Sequence, residues 1–262
     1  MKIDLLGKKA MVCGSTQGIG KAIAIALAEA GAGIVLVARN EDKLKEVVRE
    51  LSVRHGQNHS WMVADFSKPE TLKNALLNYI NSKTTIDILV NNTGGPAPAS
   101  VVDSDPQDFA NAFSMHLLCN QMLAQAVVPG MKSQNFGRII NIISTSVKEP
   151  IAGLGVSNTV RLAVASWAKT LAGELGPFGI TVNNILPGYI KTSRLTSLIE
   201  KKMSAKGKSR EEIEIEMLQE IPVNRFGEPS ELADLAVFLS NSNASYINGV
   251  SIPLDGGKTK AL

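Results

Sequence analysis

Lys9 to Ala38 reads KAMVCGSTQGIGKAIAIALAEAGAGIVLVA, and this stretch decides the fold. Lys9 to Cys13 is a short apolar run that ends in a glycine-rich turn, Gly14 to Gly20. An alanine-rich helix is expected over Lys21 to Ala30, stopped by Gly31. Ile34 to Ala38 is β-branched and too short for a helix, so it reads as a buried parallel strand. Strand, glycine turn, helix and strand together make a βαβ unit. Its physical logic is anion binding. Small residues let the backbone approach a pyrophosphate, and the unpaired N–H groups of the helix N-terminus meet its charge. The spacing is G-x-x-x-G-x-G, which signifies little alone and much more between a strand and a helix.

Working outward, the alternation continues. Trp61 to Ala64 is an expected strand that ends at Asp65. Ser67 to Glu70 reads as a capping box with proline in the first turn, opening a helix over Glu70 to Ser82. Ile86 to Val90 is a third buried strand, followed by Asn91 to Gly95. A second box, Ser104 to Gln107, opens a long helix through Met131. Arg138 to Ile143 is a strand, Ser157 to Leu175 a helix, and Thr181 to Leu186 a strand that runs into Pro187 and Gly188. This order predicts an α/β, doubly wound Rossmann fold: one parallel sheet flanked by helices on both faces, in a single domain over residues 1–262. Ligands then sit at the carboxyl ends of the strands. Residues 192–221 are polar and helical, placed after a strand end as a lid over that site.

Composition narrows the function classes. The 262 residues are 44% hydrophobic, with Lys+Arg 27 against Asp+Glu 24, and no basic patch points to nucleic acid. Two cysteines, Cys13 and Cys119, are too few and too far apart for a disulfide framework, and read as buried free thiols. His55, His59 and His116 lack ligand spacing, so no metal site is expected. No signal-peptide core or membrane-length apolar run is present, which predicts a soluble, cytoplasmic chain with no membrane partner.

The residue that ends the second strand selects the cofactor. A carboxylate there would bind the ribose 2′-hydroxyl of NAD. Ala38 holds the position, followed by Arg39, whose guanidinium can pair bidentately with a 2′-phosphate. NADP is the expected cofactor. NAD remains the alternative, because Gln17 is neutral where a second cation would strengthen the phosphate reading.

The blocks GSTQGIG, VADFS, LVNNTGG, GRIINIIS, ITVNNILPGYIKT and RFGEPSELADLAVFLSNSNASYINGVSIPLDGG resemble the short-chain dehydrogenase/reductase family from about Leu6 to Gly257. The 3-oxoacyl-carrier-protein-reductase-like branch is the nearest in character. The resemblance implies that Gly14, Gly18 and Gly20 hold the pyrophosphate, with Ser15 and Thr16 lining it and Gln17 and Ile19 completing the turn. It also implies that Asp65 contacts the adenine, Asn91 braces the sheet, and Thr93 and Gly94 back the adenine ribose. Pro187, Gly188, Ile190 and Thr192 would hold the nicotinamide carboxamide. The partners implied are a small carbonyl or alcohol substrate and further copies of the chain, as a homotetramer or homodimer.

The family transfers hydride and protonates with a tyrosine whose pKa a lysine four residues later lowers. Here Ser144 matches the substrate-orienting serine, but Ser157 stands at the tyrosine position and Arg161 at the lysine position. His116 stands at the position of the asparagine that supports a water relay. Arg161 can keep the ribose hydrogen bonds and the positive field but not relay protons. His116 is the one group of the set whose unperturbed pKa suits acid work near neutrality. Two readings follow. One is an NADP(H)-dependent oxidoreductase with a non-standard proton donor, either His116 or a water held by Ser144 and Ser157. The other is a catalytically inactive NADP(H)-binding sensor or assembly protein.

Overall fold

The computed structural model describes residues 3–81 and 85–261. From the N-terminus the chain lays down β1 (Lys9–Cys13), α1 (Gly18–Glu29), β2 (Gly33–Ala38), α2 (Glu41–Glu50), β3 (Ser60–Val63) and α3 (Pro69–Asn81). There follow β4 (Ile88–Asn92), α4 (Pro106–Phe113), α5 (Cys119–Ser133), β5 (Gly137–Ile142), α6 (Gly155–Leu175) and β6 (Ile180–Pro187). The remainder is α7 (Ser193–Lys206), α8 (Arg210–Gln219), α9 (Pro229–Ser240) and β7 (Ser251–Leu254). The strands form one sheet in the order β3-β2-β1-β4-β5-β6-β7, every neighbouring pair parallel. This is the doubly wound fold that the alternation predicts. The order reverses between β1 and β4, which opens a crevice for ligand at their carboxyl ends.

Period-two alternation divides the core. Ala10 and Val12 of β1 pack with Ile23 and Leu27 of α1 and Leu232 and Ala236 of α9. Met11 and Cys13 turn to the other face, with Leu72 of α3, Leu123 and Val127 of α5 and Ala168 of α6. Both faces are therefore dry, as parallel sheets require. Cys13 and Cys119 are free and buried, and burial raises the Cys13 thiol pKa. No helix among the described residues is long and apolar enough to cross a membrane.

The interior also carries a polar ladder. Asn91 Nδ2 donates to Asn141 Oδ1 at 2.8 Å, Asn141 Nδ2 to Asn184 Oδ1 at 2.9 Å, and Asn184 Nδ2 to Ser251 Oγ at 3.0 Å. Four adjacent strands are thus tied side chain to side chain, at positions in register across the sheet. All three asparagines are buried, and the ladder gives each amide a partner, with Asn91 Oδ1 alone of the ladder atoms left unpaired among the described residues.

Several local expectations are corrected. The cap of α4 is Asp105, which accepts from the Gln107 N–H at 2.7 Å, while the Ser104 hydroxyl turns back to the Ser100 carbonyl. The long helix expected through Met131 is interrupted by a π-helical turn at Ser114–Leu118, which turns His116 inward. The Ser67 hydroxyl donates to Asp65 Oδ1 at 2.7 Å. Helix α1 begins at Gly18, inside the glycine turn, and Ser82, the expected end of α3, lies outside the described residues. Helices α7 and α8 pack on each other through Leu195, Ile199, Ile213 and Met217, apart from the main core.

Candidate active site

A cleft of about 780 Å³ runs along the carboxyl ends of the strands. That volume lies in the range of small-molecule and cofactor sites, about 300–1,000 Å³. The glycine turn forms one wall. Gly14 and Gly18 have φ of +59° and +54°, a left-handed conformation that side chains strain. A Cβ on Gly20 would sit 2.2 Å from the Gly14 carbonyl oxygen and 2.7 Å from Asn92 Nδ2. Asn92 in turn donates to the carbonyls of Cys13 and Gly14 at 3.2 and 3.3 Å, locking the turn to β4. No side chain caps α1, and its first turn carries no acidic residue. Its orphan N–H groups face the cleft beside Gln17, Gly18 and Ile19, an arrangement that fits a phosphate.

Arg39, exposed at the end of β2, lines the same cleft as Ala64 and Asp65 after β3. Burial alone would raise the Asp65 pKa, but hydrogen bonds from the Ser67 side chain and backbone and the fields of Arg39 and Lys68 hold it below the usual carboxylate range. Asp65 therefore caps its turn and still faces the cleft.

At the other end, Ser144 follows β5 and caps a short 3₁₀ turn, accepting from the Ser146 N–H at 3.1 Å. That bond takes one of its two lone pairs, and its O–H stays free to donate to a ligand. Ser157, half-buried on the first turn of α6, lines the cleft one turn before Arg161. Arg161 is buried: Nη1 donates to the Ile142 carbonyl and Nη2 to the Thr93 carbonyl, both at 3.2 Å. Burial, and then the field of Arg194, bring its pKa down to about 10, so it stays cationic at neutral pH. Thr93, Gly94, Pro187, Gly188, Ile190 and Thr192 complete the lining.

Four expected site residues stand elsewhere. Ser15 is buried and leans toward the Val37 carbonyl, Gly20 packs beneath the turn, and Asn91 braces the sheet through the amide ladder, as the resemblance implies, rather than lining the cleft. His116 lies off the cleft, against a smaller cavity of about 220 Å³. Its Nδ1 is 2.6 Å from the Thr93 hydroxyl and its Nε2 has no protein partner. Burial, and then the Arg161 charge, push its pKa down to about 2. A ring that is neutral throughout the physiological range has no proton to give as an acid there, which corrects the expectation built on its unperturbed pKa.

Tyr189 reaches the cleft, but its hydroxyl donates to Glu220 at 3.1 Å, and burial and that carboxylate raise its pKa. Sequence reading missed Asn92, whose place beside Asn91 in LVNNTGG hid which of the two faces the turn. It also missed Arg194 and Lys258, ordinary surface cations until the fold brings them to the cleft.

Residues 14–259 match the family model described as Enoyl-(Acyl carrier protein) reductase. The chain belongs to the short-chain dehydrogenase/reductase family. It is 32% identical over 256 residues to the NADPH-dependent reductase BacG of Bacillus subtilis, covering 97% of this chain and 99% of that one. It is also 32% identical over 257 residues to the 3-oxoacyl-[acyl-carrier-protein] reductase FabG of Aquifex aeolicus, covering 98% and 99%. Among solved structures, the L-sorbose reductase of Gluconobacter frateurii, complexed with NADPH and L-sorbose, superimposes with a TM-score of 0.92 at 32% identity. That match spans 100% of both chains.

Proposed function

We propose that this short-chain dehydrogenase/reductase uses the cleft for NADP(H)-dependent reduction of a carbonyl, or the reverse oxidation of an alcohol, with a serine and a bound water doing the work of a tyrosine. The observation that carries the reading is the Gly14–Gly20 cradle, opposed across one continuous cleft by Ser144, Ser157 and Arg161. Relatives of full length are oxidoreductases, which favours this reading over an inactive sensor. In detail it is a variant of the 3-oxoacyl-reductase-like branch.

Gly14, Thr16, Gln17, Gly18 and Ile19 hold the pyrophosphate, and Arg39 the 2′-phosphate. Asp65, Thr93 and Gly94 hold the adenosine, and Pro187, Gly188, Ile190 and Thr192 the carboxamide. Ser15, Gly20 and Asn91 support this cradle from behind. These residues would hold NADPH, whose nicotinamide would supply a hydride for a carbonyl carbon.

Ser144 donates its O–H to the carbonyl oxygen and fixes its position. The Arg161 cation stabilises the charge that develops on that oxygen and keeps donors for a ribose hydroxyl. A serine hydroxyl is shorter than a phenol and a weaker acid, so Ser157 holds a water that delivers the solvent proton. His116, uncharged, positions Thr93, and through the Thr93 carbonyl it positions Arg161.

Helices α7 and α8, residues 192–221, act as the lid. Phe113, Leu118 and Leu162 are exposed on the α4–α6 layer, which supports association into a homodimer or homotetramer. A cytoplasmic location completes the reading.

The test uses NADPH deuterated at C4 of the nicotinamide, a panel of oxo acids, ketones and 3-oxoacyl thioesters, and mass analysis of the product. Deuterium on the carbinol carbon, lost in Ser144→Ala, is expected. Absence of transfer to any member of the panel would return the sensor reading.

A further inference from the structure

Two guanidinium groups meet at the substrate end of the cleft with no carboxylate between them. The point where a Cβ on Gly95 would sit is 3.4 Å from Arg194 Nη2 and 3.7 Å from Arg161 Nη2. Gly95 has no side chain to occupy that gap, and its φ lies outside the left-handed region, so its backbone does not demand glycine. The gap is space, kept open between two cations.

Their hydrogen bonding is incomplete. A guanidinium has five N–H donors. Arg161 commits donors to the carbonyls of Ile142 and Thr93, and Arg194 Nη2 donates to the Pro96 carbonyl at 3.2 Å. Among the described residues, neither forms an ion pair with a carboxylate, although nine other Lys or Arg contacts of that kind are present. Lys258, a third cation of the cleft, is paired with Glu220. Asp65, the carboxylate of the lining, is engaged by Ser67 beyond β3.

Arg161 is buried beside the like charge of the solvent-exposed Arg194, and an anion between them offsets that repulsion and pairs the buried cation. Planar guanidinium groups match carboxylate and phosphate oxygens, with two parallel bonds from one fork. The protein supplies no such oxygen here.

We infer that the substrate carries its own anionic group, a carboxylate or a phosphate, which docks between Arg161 and Arg194 over Gly95 while its carbonyl meets Ser144. The inference rests on the oxidoreductase reading and narrows it to small oxo acids and their hydroxy-acid partners or phosphorylated equivalents. Neutral ketones and thioesters fall outside it. Arg194 sits on the first turn of α7, so the anion also gives that helix a reason to close.

The experiment is calorimetric titration of the NADP⁺-loaded protein with 2-oxobutyrate, 4-oxopentanoate, 5-oxohexanoate and dihydroxyacetone phosphate. Each acid's methyl ester, and unphosphorylated dihydroxyacetone, serve as neutral partners. At least one anion is expected to bind tenfold or more tightly than its neutral partner. Arg194→Ala should weaken it at least tenfold, Arg194→Lys less, with the NADP⁺ dissociation constant unchanged within twofold. Acids against phosphate separate the two kinds of anion. Equal affinity for anions and neutral partners, or no binding by any anion, overturns the inference. So does an equal loss of NADP⁺ affinity in Arg194→Ala, which would give the arginines to the cofactor phosphates. Turnover is scored separately with NADPH. Selective binding of anions without turnover counts against the oxidoreductase reading and leaves the anion site standing. Turnover that favours the neutral partners does the reverse.

Discussion

Arg161 on α6 donates to the main-chain carbonyl of Thr93 at 3.2 Å, and the Thr93 hydroxyl lies 2.6 Å from His116 Nδ1. The loop after β4 is therefore clamped between a fixed cation and a neutral imidazole. The cation faces the cleft and the imidazole stands behind it. This division of labour sets the pH behaviour of the site.

The His116 pKa is about 2 in the folded chain, against 6.5 as the ordinary value. A proton is thus bound more readily by the unfolded chain between those pH values. The stability contributed by the neutral ring is fully present above about pH 6.5 and is lost as pH falls toward 2. Denaturant titrations of wild type and His116→Asn are expected to diverge below pH 6.5. Wild type should lose about 1.4 kcal/mol per pH unit more than the variant, on the energy of one pKa unit. Parallel curves between pH 6.5 and 4.5 would show that the ring is protonated in the fold.

The cradle makes a steric prediction. In Gly20→Ala the new methyl meets the Gly14 carbonyl at 2.2 Å, and backbone has to move. Overpacking of this kind costs about 1–3 kcal/mol. Thermal unfolding should fall accordingly, and NADPH affinity, read by fluorescence titration, should drop at least tenfold as the turn opens. Wild-type affinity in this variant would mean that the turn is not the phosphate site.

Cofactor choice is expected to lie with Arg39. Its replacement by alanine removes one charged hydrogen-bonding group, so the preference for NADPH over NADH should fall at least tenfold, about 1.4 kcal/mol. NADH affinity should hardly change. An equal loss for both cofactors would place Arg39 elsewhere than at the 2′-phosphate.

The amide ladder is a purely structural device. Asn141→Leu leaves the Asn91 amide donors and the Asn184 carbonyl oxygen without this partner in the sheet interior. Each unsatisfied group costs about 1–3 kcal/mol, so a loss of about 2–6 kcal/mol is expected from chemical denaturation. A loss below 1 kcal/mol would mean that water or a neighbour replaces the amide.

The glycine turn, the strand runs and the helix periods carried the fold in plain sight, because backbone conformation and dry faces constrain residue type locally. That Ser144, Ser157 and Arg161 share one cleft was also legible, since a spacing of four on one helix and a strand end beside it bring them together. Other features depend on the third dimension. The resemblance gives Asn91 its bracing role but none to Asn92, and only the direction of the Asn92 side chain at the end of β4 assigns it to the glycine turn. His116 has an ordinary histidine pKa until burial and Arg161 act on it. Arg194 is distant in sequence from Arg161, and nothing but the packing of α7 beside the Gly95 loop brings their charges together.

The most direct measurement is NADPH oxidation, followed by absorbance, for wild type, Ser144→Ala and the double variant Ser157→Tyr/Arg161→Lys on one panel of oxo acids and ketones. The account predicts turnover by wild type and at least a hundredfold loss in Ser144→Ala. Turnover that is absent from wild type and emerges only in the double variant would contradict it: the scaffold would bind the cofactor, and the native residues would leave it idle.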